Sequence, residues 1–279
     1  MSLPVAVGVD GAPESIAAAE WAAHESELCG APLLIVQADE WAGVATSRGV
    51  GPDAPCRRVD ELLIETAGAV RRLHPALEID TQQLAGAGTE AGLLVLGSRG
   101  LSGFLLGSVG MAAIVATPRP VVLVWVPGRS TVPVRSAMAG PSRDVVVGMD
   151  IDQFFDPLLD FGFREADGRG ARLLALYGWS IPPVVRDVSA LVAAEREMGP
   201  DIARRLATDL RRWRLKFPSV DLVERSRVGG PAQLLLQAGE NAELVVVGRR
   251  VRVCTLGAHV GPVTHAVIPL RRTRCGYRS

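Results

Sequence analysis

The sequence predicts two tandem α/β domains, each a doubly wound parallel sheet with helices on both faces. Three observations predict it. The 279 residues are too many for one small α/β unit and suit two. Short Val- and Leu-rich runs alternate with helical stretches, and near-continuous apolar strands belong to parallel sheets covered on both faces. The same order of segments occurs twice along the chain.

The first half begins with Val5-Ala6-Val7-Gly8-Val9-Asp10, a strand ending in a carboxylate. Ser15 to Cys29 has apolar residues at helical spacing, with Pro13 before it and Gly30 closing it. Leu33-Leu34-Ile35-Val36 is the second strand. A second helix over 57–73 places Leu62, Leu63, Ala67, Val70 and Leu73 on one side. Leu77-Glu78-Ile79-Asp80 is the third strand and Leu93-Leu94-Val95-Leu96 the fourth. The segment GSRGLSGFLLGSVG (97–110) joins that strand to a helix beginning near Met111, and Pro120 to Val124 is the last strand.

The second half repeats this order. Val145 to Asp150 echoes the first strand, Leu173 to Leu176 the second, Val220 to Val223 the third and Val245 to Val247 the fourth. Its helices fall at about 153–168 and 199–216. Residues 128–142 are rich in Pro, Ser and Gly and read as a linker, giving domains 1–127 and 143–279.

The halves differ in two places. From Asp10 to Gly97 is 87 positions and from Asp150 to Gly248 is 98. The 11 extra residues include Pro231 to Ala238, a helix with no counterpart in the first half. The first domain therefore lacks its third helix, which leaves part of one sheet face open. The second half ends in PLRRTRCGYRS, which does not read as a strand, so the second domain lacks its last strand.

Composition excludes several functions. Thirty basic and thirty acidic residues balance, which removes a general electrostatic grip on nucleic acid or an anionic membrane. No apolar run reaches the ~18 residues of a membrane span. Four cysteines without CxxC spacing, and no basic leader before the first strand, point to a reduced, cytoplasmic protein. No nucleophile–base pair and no metal-ligand spacing stand out, so neither catalysis nor a metal site is expected. His24 and His74 are expected at the surface, and Trp21 and Trp213 in helix packing.

Ligands of doubly wound sheets sit at the carboxyl ends of strands, where the strand order reverses. Asp10 and Gly97 lie at such ends. Gly97, Gly100 and Gly103 let backbone N–H groups approach an anion, Ser108 can cap the following helix, and Arg99 adds a cation. There is no GxxxxGK[S/T], so the loop is not a P-loop.

VGVDGAPES, LLVLGSRG and GSVG followed by TPRPVVLVWVP resemble the universal stress protein family, in its tandem two-domain form. The resemblance implies flavodoxin-like (Rossmann-like) domains and homodimerisation through the last strand, with Trp125 near the contact. It also implies a stress-response regulator binding ATP or a related adenine nucleotide, with magnesium as the accompanying ion. The implied nucleotide residues are Gly8, Asp10, Ala38, Gly97, Ser98, Arg99, Gly100, Leu101, Ser102, Gly103, Gly107, Ser108 and Val109. The first-half loop is three residues shorter than the family pattern. In the second half Val251 and Pro262 replace the pattern's glycine and hydroxyl residue, so no ordinary ATP site is expected there. The competing reading is a dimerisation or interaction module without nucleotide.

Overall fold

A computed structural model describes residues 2–38, 53–84, 90–98, 108–125, 144–152, 156–180, 188–249, 251–254, 257–267 and 277–278. The chain forms two compact units, Met1–Ala137 and Met138–Ser279.

The first unit runs β1 (Val5–Gly8), α1 (Pro13–Cys29), β2 (Leu33–Ala38), α2 (Asp53–Leu73), β3 (Ile79–Leu84), β4 (Leu93–Ser98), α3 (Ser108–Ala116) and β5 (Val121–Trp125). Its five strands are all parallel, in the order β3-β2-β1-β4-β5. Pro13 starts α1, where its missing N–H costs nothing. Gly30 ends it in a left-handed conformation (φ 62°) that a side chain would strain. Between them Ala18, Trp21, Ala22 and Ala23 are fully buried, the small residues letting α1 lie close to the sheet.

On α2, Leu63, Ala67 and Val70 are buried as expected, but Leu73 is 46% exposed. The buried stripe continues at His74 instead, one position on, at helical spacing from Val70. His74 is therefore a core histidine rather than a surface one.

The second unit contains β6 (Val145–Met149), α4 (Asp156–Arg169), β7 (Leu173–Trp179), α5 (Val188–Lys216), β8 (Leu222–Val228), α6 (Pro231–Gly239) and β9 (Leu244–Val246). Then come β10 (Gly248–Arg249), β11 (Val251–Cys254), β12 (Gly257–Val260), α7 (Pro262–Val267) and β13 (Tyr277–Arg278). The main sheet is parallel, in the order β8-β7-β6-β9. Side chains alternate between its faces. Val145, Val147, Leu173, Ala175, Leu244 and Val246 pack on α4 and α5. Val146, Leu174, Leu176, Val245 and Val247 pack on α6 and α7.

The missing helix has a measurable consequence. Only eight residues separate Leu84 from Leu93, whereas α6 lies between Val228 and Leu244. Leu174, Val245 and Val247 are buried beneath α6 and α7, yet their first-unit counterparts Leu34, Leu94 and Leu96 are only half-buried.

Several expected boundaries move. The third strands begin at Ile79 and Leu222, not Leu77 and Val220, because those two residues sit in turns: the Leu77 N–H donates to the His74 carbonyl and that of Val220 to Phe217. Helix α4 is described from Asp156, residues 153–155 lying outside the described residues, and α5 starts at Val188 rather than 199, running through Pro200. Its first turns, rich in Ala, Glu, Leu and Arg, carry enough helix propensity to continue on both sides of the proline. The tail is not wholly without strand. Tyr277–Arg278 pairs in parallel with Gly248–Arg249, as Val124–Trp125 pairs with Gly97–Ser98 in the first unit.

Candidate functional site

In the first unit the order β3-β2-β1-β4-β5 reverses between β1 and β4. The crevice outside their carboxyl ends is where doubly wound sheets take ligands. Gly8 ends β1, and a Cβ there would lie 2.6 Å from Leu96 Cδ2, so the small residue lets the two strands' side chains fit. Asp10 follows two residues later. Its Oδ1 accepts a hydrogen bond from the Ala12 N–H at 2.9 Å, folding the β1–α1 turn around Gly11, whose φ of 80° favours glycine.

Ser15 fastens this turn. Its hydroxyl accepts from the Asp10 N–H at 3.2 Å and donates to the Ala12 carbonyl at 2.9 Å. Gly97, near the end of β4, has a packing reason to be glycine. A Cβ there would lie 2.6 Å from the Glu14 carbonyl carbon and the Ser15 nitrogen. The first turn of α1 thus rests directly on β4, and the Asp10 turn and the β4 end are held together.

Ser98, the last residue of β4, is buried. Ala38 is the last residue of β2, in register with Leu84. Ser108 and Val109 open α3. Arg99, Gly100, Leu101, Ser102, Gly103 and Gly107 lie outside the described residues. The placed residues fit an adenine nucleotide in kind. A carboxylate at the end of β1 suits ribose or base donors, and a helix start following β4 suits phosphate.

The second unit is built differently at the same place. The Asp150 carboxylate accepts from the Asp152 N–H at 3.1 Å, repeating the turn of Asp10. Beside it Tyr177 is pushed above its usual range by burial, with Asp152 and Asp150 adding to the effect and Arg205 opposing it. Arg205 reaches the Ile151 carbonyl at 2.8 Å and Asp152 at 3.2 Å. A Cβ on Gly178 would lie 2.8 Å from Pro231 Cα, because the first turn of α6 lies on the end of β7. Position 38 of the first unit, where no helix lies between β3 and β4 among the described residues, is alanine.

The loop expected over 251–260 is an antiparallel hairpin, with Arg252 opposite His259. Arg249 is fully buried where the first unit has Ser98, and Thr264 Oγ1 donates to the Gly248 carbonyl at 2.7 Å.

Sequence reasoning missed Ser15, His74 and Arg249. A hydroxyl at the third helical position, able to reach back to a backbone N–H before the helix, was a capping-box-like signal for Ser15. His74 Nδ1 lies 2.8 Å from Glu27 Oε1, joining the end of α2 to α1. Burial pushes the nearby Glu20 carboxyl above its usual range, partly offset by His74.

The family model described as the universal stress protein family matches residues 141–273. Two universal stress proteins of Mycobacterium tuberculosis are each 30% identical to this chain. One alignment covers 96% of this chain and 92% of the relative, the other 98% and 95%. The crystal structure of a universal stress protein from Archaeoglobus fulgidus has the same fold at a TM-score of 0.66 and 15% identity, covering 99% of this chain and 98% of that one.

Proposed function

The chain belongs to the universal stress protein family, and on that premise we propose that it is a stress-response regulator binding ATP, or a related adenine nucleotide, in its first unit. The observation that carries the reading is the arrangement at the β1–β4 switch point. Asp10 is held by a hydrogen-bonded turn to Ala12 and Ser15, and the Glu14–Ser15 backbone lies on Gly97 of β4. The second unit has a hairpin and a buried Arg249 at the equivalent place, which supports assigning the nucleotide to the first unit alone. Nucleotide acts as a regulatory ligand by favouring one state of the protein over another. Mass spectrometry of the small molecules released from freshly purified protein tests this. An adenine nucleotide near one per chain supports it, and none bound after incubation with ATP defeats it.

A second reading has its own observation. Gly97 is explained by the packing of α1, and Asp10 Oδ1 is engaged by its own turn. Both residues therefore serve a fold retained for dimerisation alone. The dimer in this reading forms along β5, the outer strand of the first sheet. Val121 to Val124 are already buried within the chain, so Trp125 and the strand's backbone edge make the contact.

A further inference from the structure

We infer that Ser15 is a positioning residue of the first unit: its hydroxyl sets the β1–α1 turn so that Asp10 is presented at the strand ends. The inference rests on the nucleotide reading above for its ligand, and on geometry for the rest. Ser15 is buried, and its hydroxyl is spent inside the turn, accepting from the Asp10 N–H and donating to the Ala12 carbonyl. The Asp10 carboxylate in turn holds the Ala12 N–H. The far side of the turn is fixed by Gly97, whose missing Cβ makes room for the Glu14–Ser15 peptide. One hydroxyl thus orients the backbone of the residue that carries the carboxylate.

The second unit has no hydroxyl at the corresponding position. Phe155 stands at the same spacing from Asp150 and has no hydroxyl. Among the described residues, a Cβ on Gly248 would meet Leu158 Cδ2, at an ordinary 3.7 Å. The carboxylate turn is present in both units, and the serine hydroxyl at this position belongs to the first alone.

The test uses the full chain freed of nucleotide, ATP as the probe, and the variants Ser15→Ala, Asp10→Asn and the pair combined. Ser15→Ala loses both hydrogen bonds of the hydroxyl and is expected to bind ATP about tenfold more weakly, the order of a net hydrogen-bond contribution. Added to Asp10→Asn it is expected to change little, because both act through the same carboxylate. Ser15→Thr keeps the hydroxyl and is expected to retain most of the affinity. Amide exchange gives a readout independent of ligand: in Ser15→Ala the Asp10 amide loses protection while Val7 and Leu96 keep theirs. Wild-type affinity in Ser15→Ala, or effects of the two substitutions that simply add, overturns the inference. Should the wild type bind no ATP, the nucleotide reading falls by itself. Exchange at Asp10 then decides Ser15: lost protection upholds its hold on the turn, and unchanged protection overturns it.

Discussion

Replacing Gly97 with alanine separates packing from ligand approach. The added Cβ would lie 2.6 Å from the Glu14 carbonyl carbon and the Ser15 nitrogen, about 0.8 Å inside the 3.4 Å at which ordinary contact begins. The opposing atoms are backbone, in the first turn of a helix whose face is fully buried, so no side chain can swing aside. Overpacking a core costs about 1–3 kcal/mol, and a rigid opponent places this case near 3. For a unit of this size that is a fall in melting temperature of roughly 10 °C. Gly248→Ala is the control, since among the described residues its Cβ would meet Leu158 Cδ2, at 3.7 Å. Its expected cost is below about 0.5 kcal/mol. The assay is thermal and urea unfolding of the full chain without nucleotide. A Gly97→Ala protein that unfolds like the wild type, yet loses affinity for ATP, would refute the packing argument and return Gly97 to the ligand.

Three further outcomes follow from the same geometry. Burial raises the Glu20 carboxyl above its ordinary value, so ionising it costs the folded state stability as pH rises from the ordinary carboxylate range through the raised one. Glu20→Gln is therefore expected to stabilise the protein at neutral pH and to match the wild type in acid, checked by urea unfolding at both. Arg169 is buried between Glu165 at 2.6 Å and Glu243 at 3.2 Å, and Arg169→Ala removes the guanidinium that faces the buried Glu165 carboxylate. The expected loss is about 3–5 kcal/mol from the second unit, measured by urea unfolding. Trp125→Ala is expected to weaken self-association without unfolding the chain, read by sedimentation across a concentration series.

The fold was legible where strands are buried on both faces. β1, β6, β7 and β9 read as near-continuous apolar runs because both of their faces are covered, and β4 reads the same way although Leu94 and Leu96 are only half-buried. β3 and β8, each at one edge of its sheet, were not. β3 exposes Asp80, Thr81, Gln82 and Gln83, so its apolar signal fell on Leu77, a turn residue. The long start of α5 was hidden by Gly199-Pro200, which usually ends a helix. The hairpin β11–β12 was hidden by analogy with the glycine-rich first half, although Val251, Val253 and Val260 carry a β-branched signal. At the candidate site, Asp10 and Gly97 were legible as strand-end residues, because chain order and strand length alone place them. Their hydrogen bonds and close contacts were not, since Ser15 and Gly97 are distant in sequence and meet only when α1 lies on β4. His74 was misplaced because a histidine carries no apolar signal, even when it completes a buried stripe.

The central claim is that one unit of this protein takes an adenine nucleotide and the other does not. Isothermal titration of nucleotide-free full-length chain with ATP tests it most directly, because the stoichiometry counts sites. Saturation at one ATP per chain, abolished by Gly100→Val in a protein that remains folded, is the predicted result. Two equivalent sites per chain, or no heat of binding at any concentration, would contradict it.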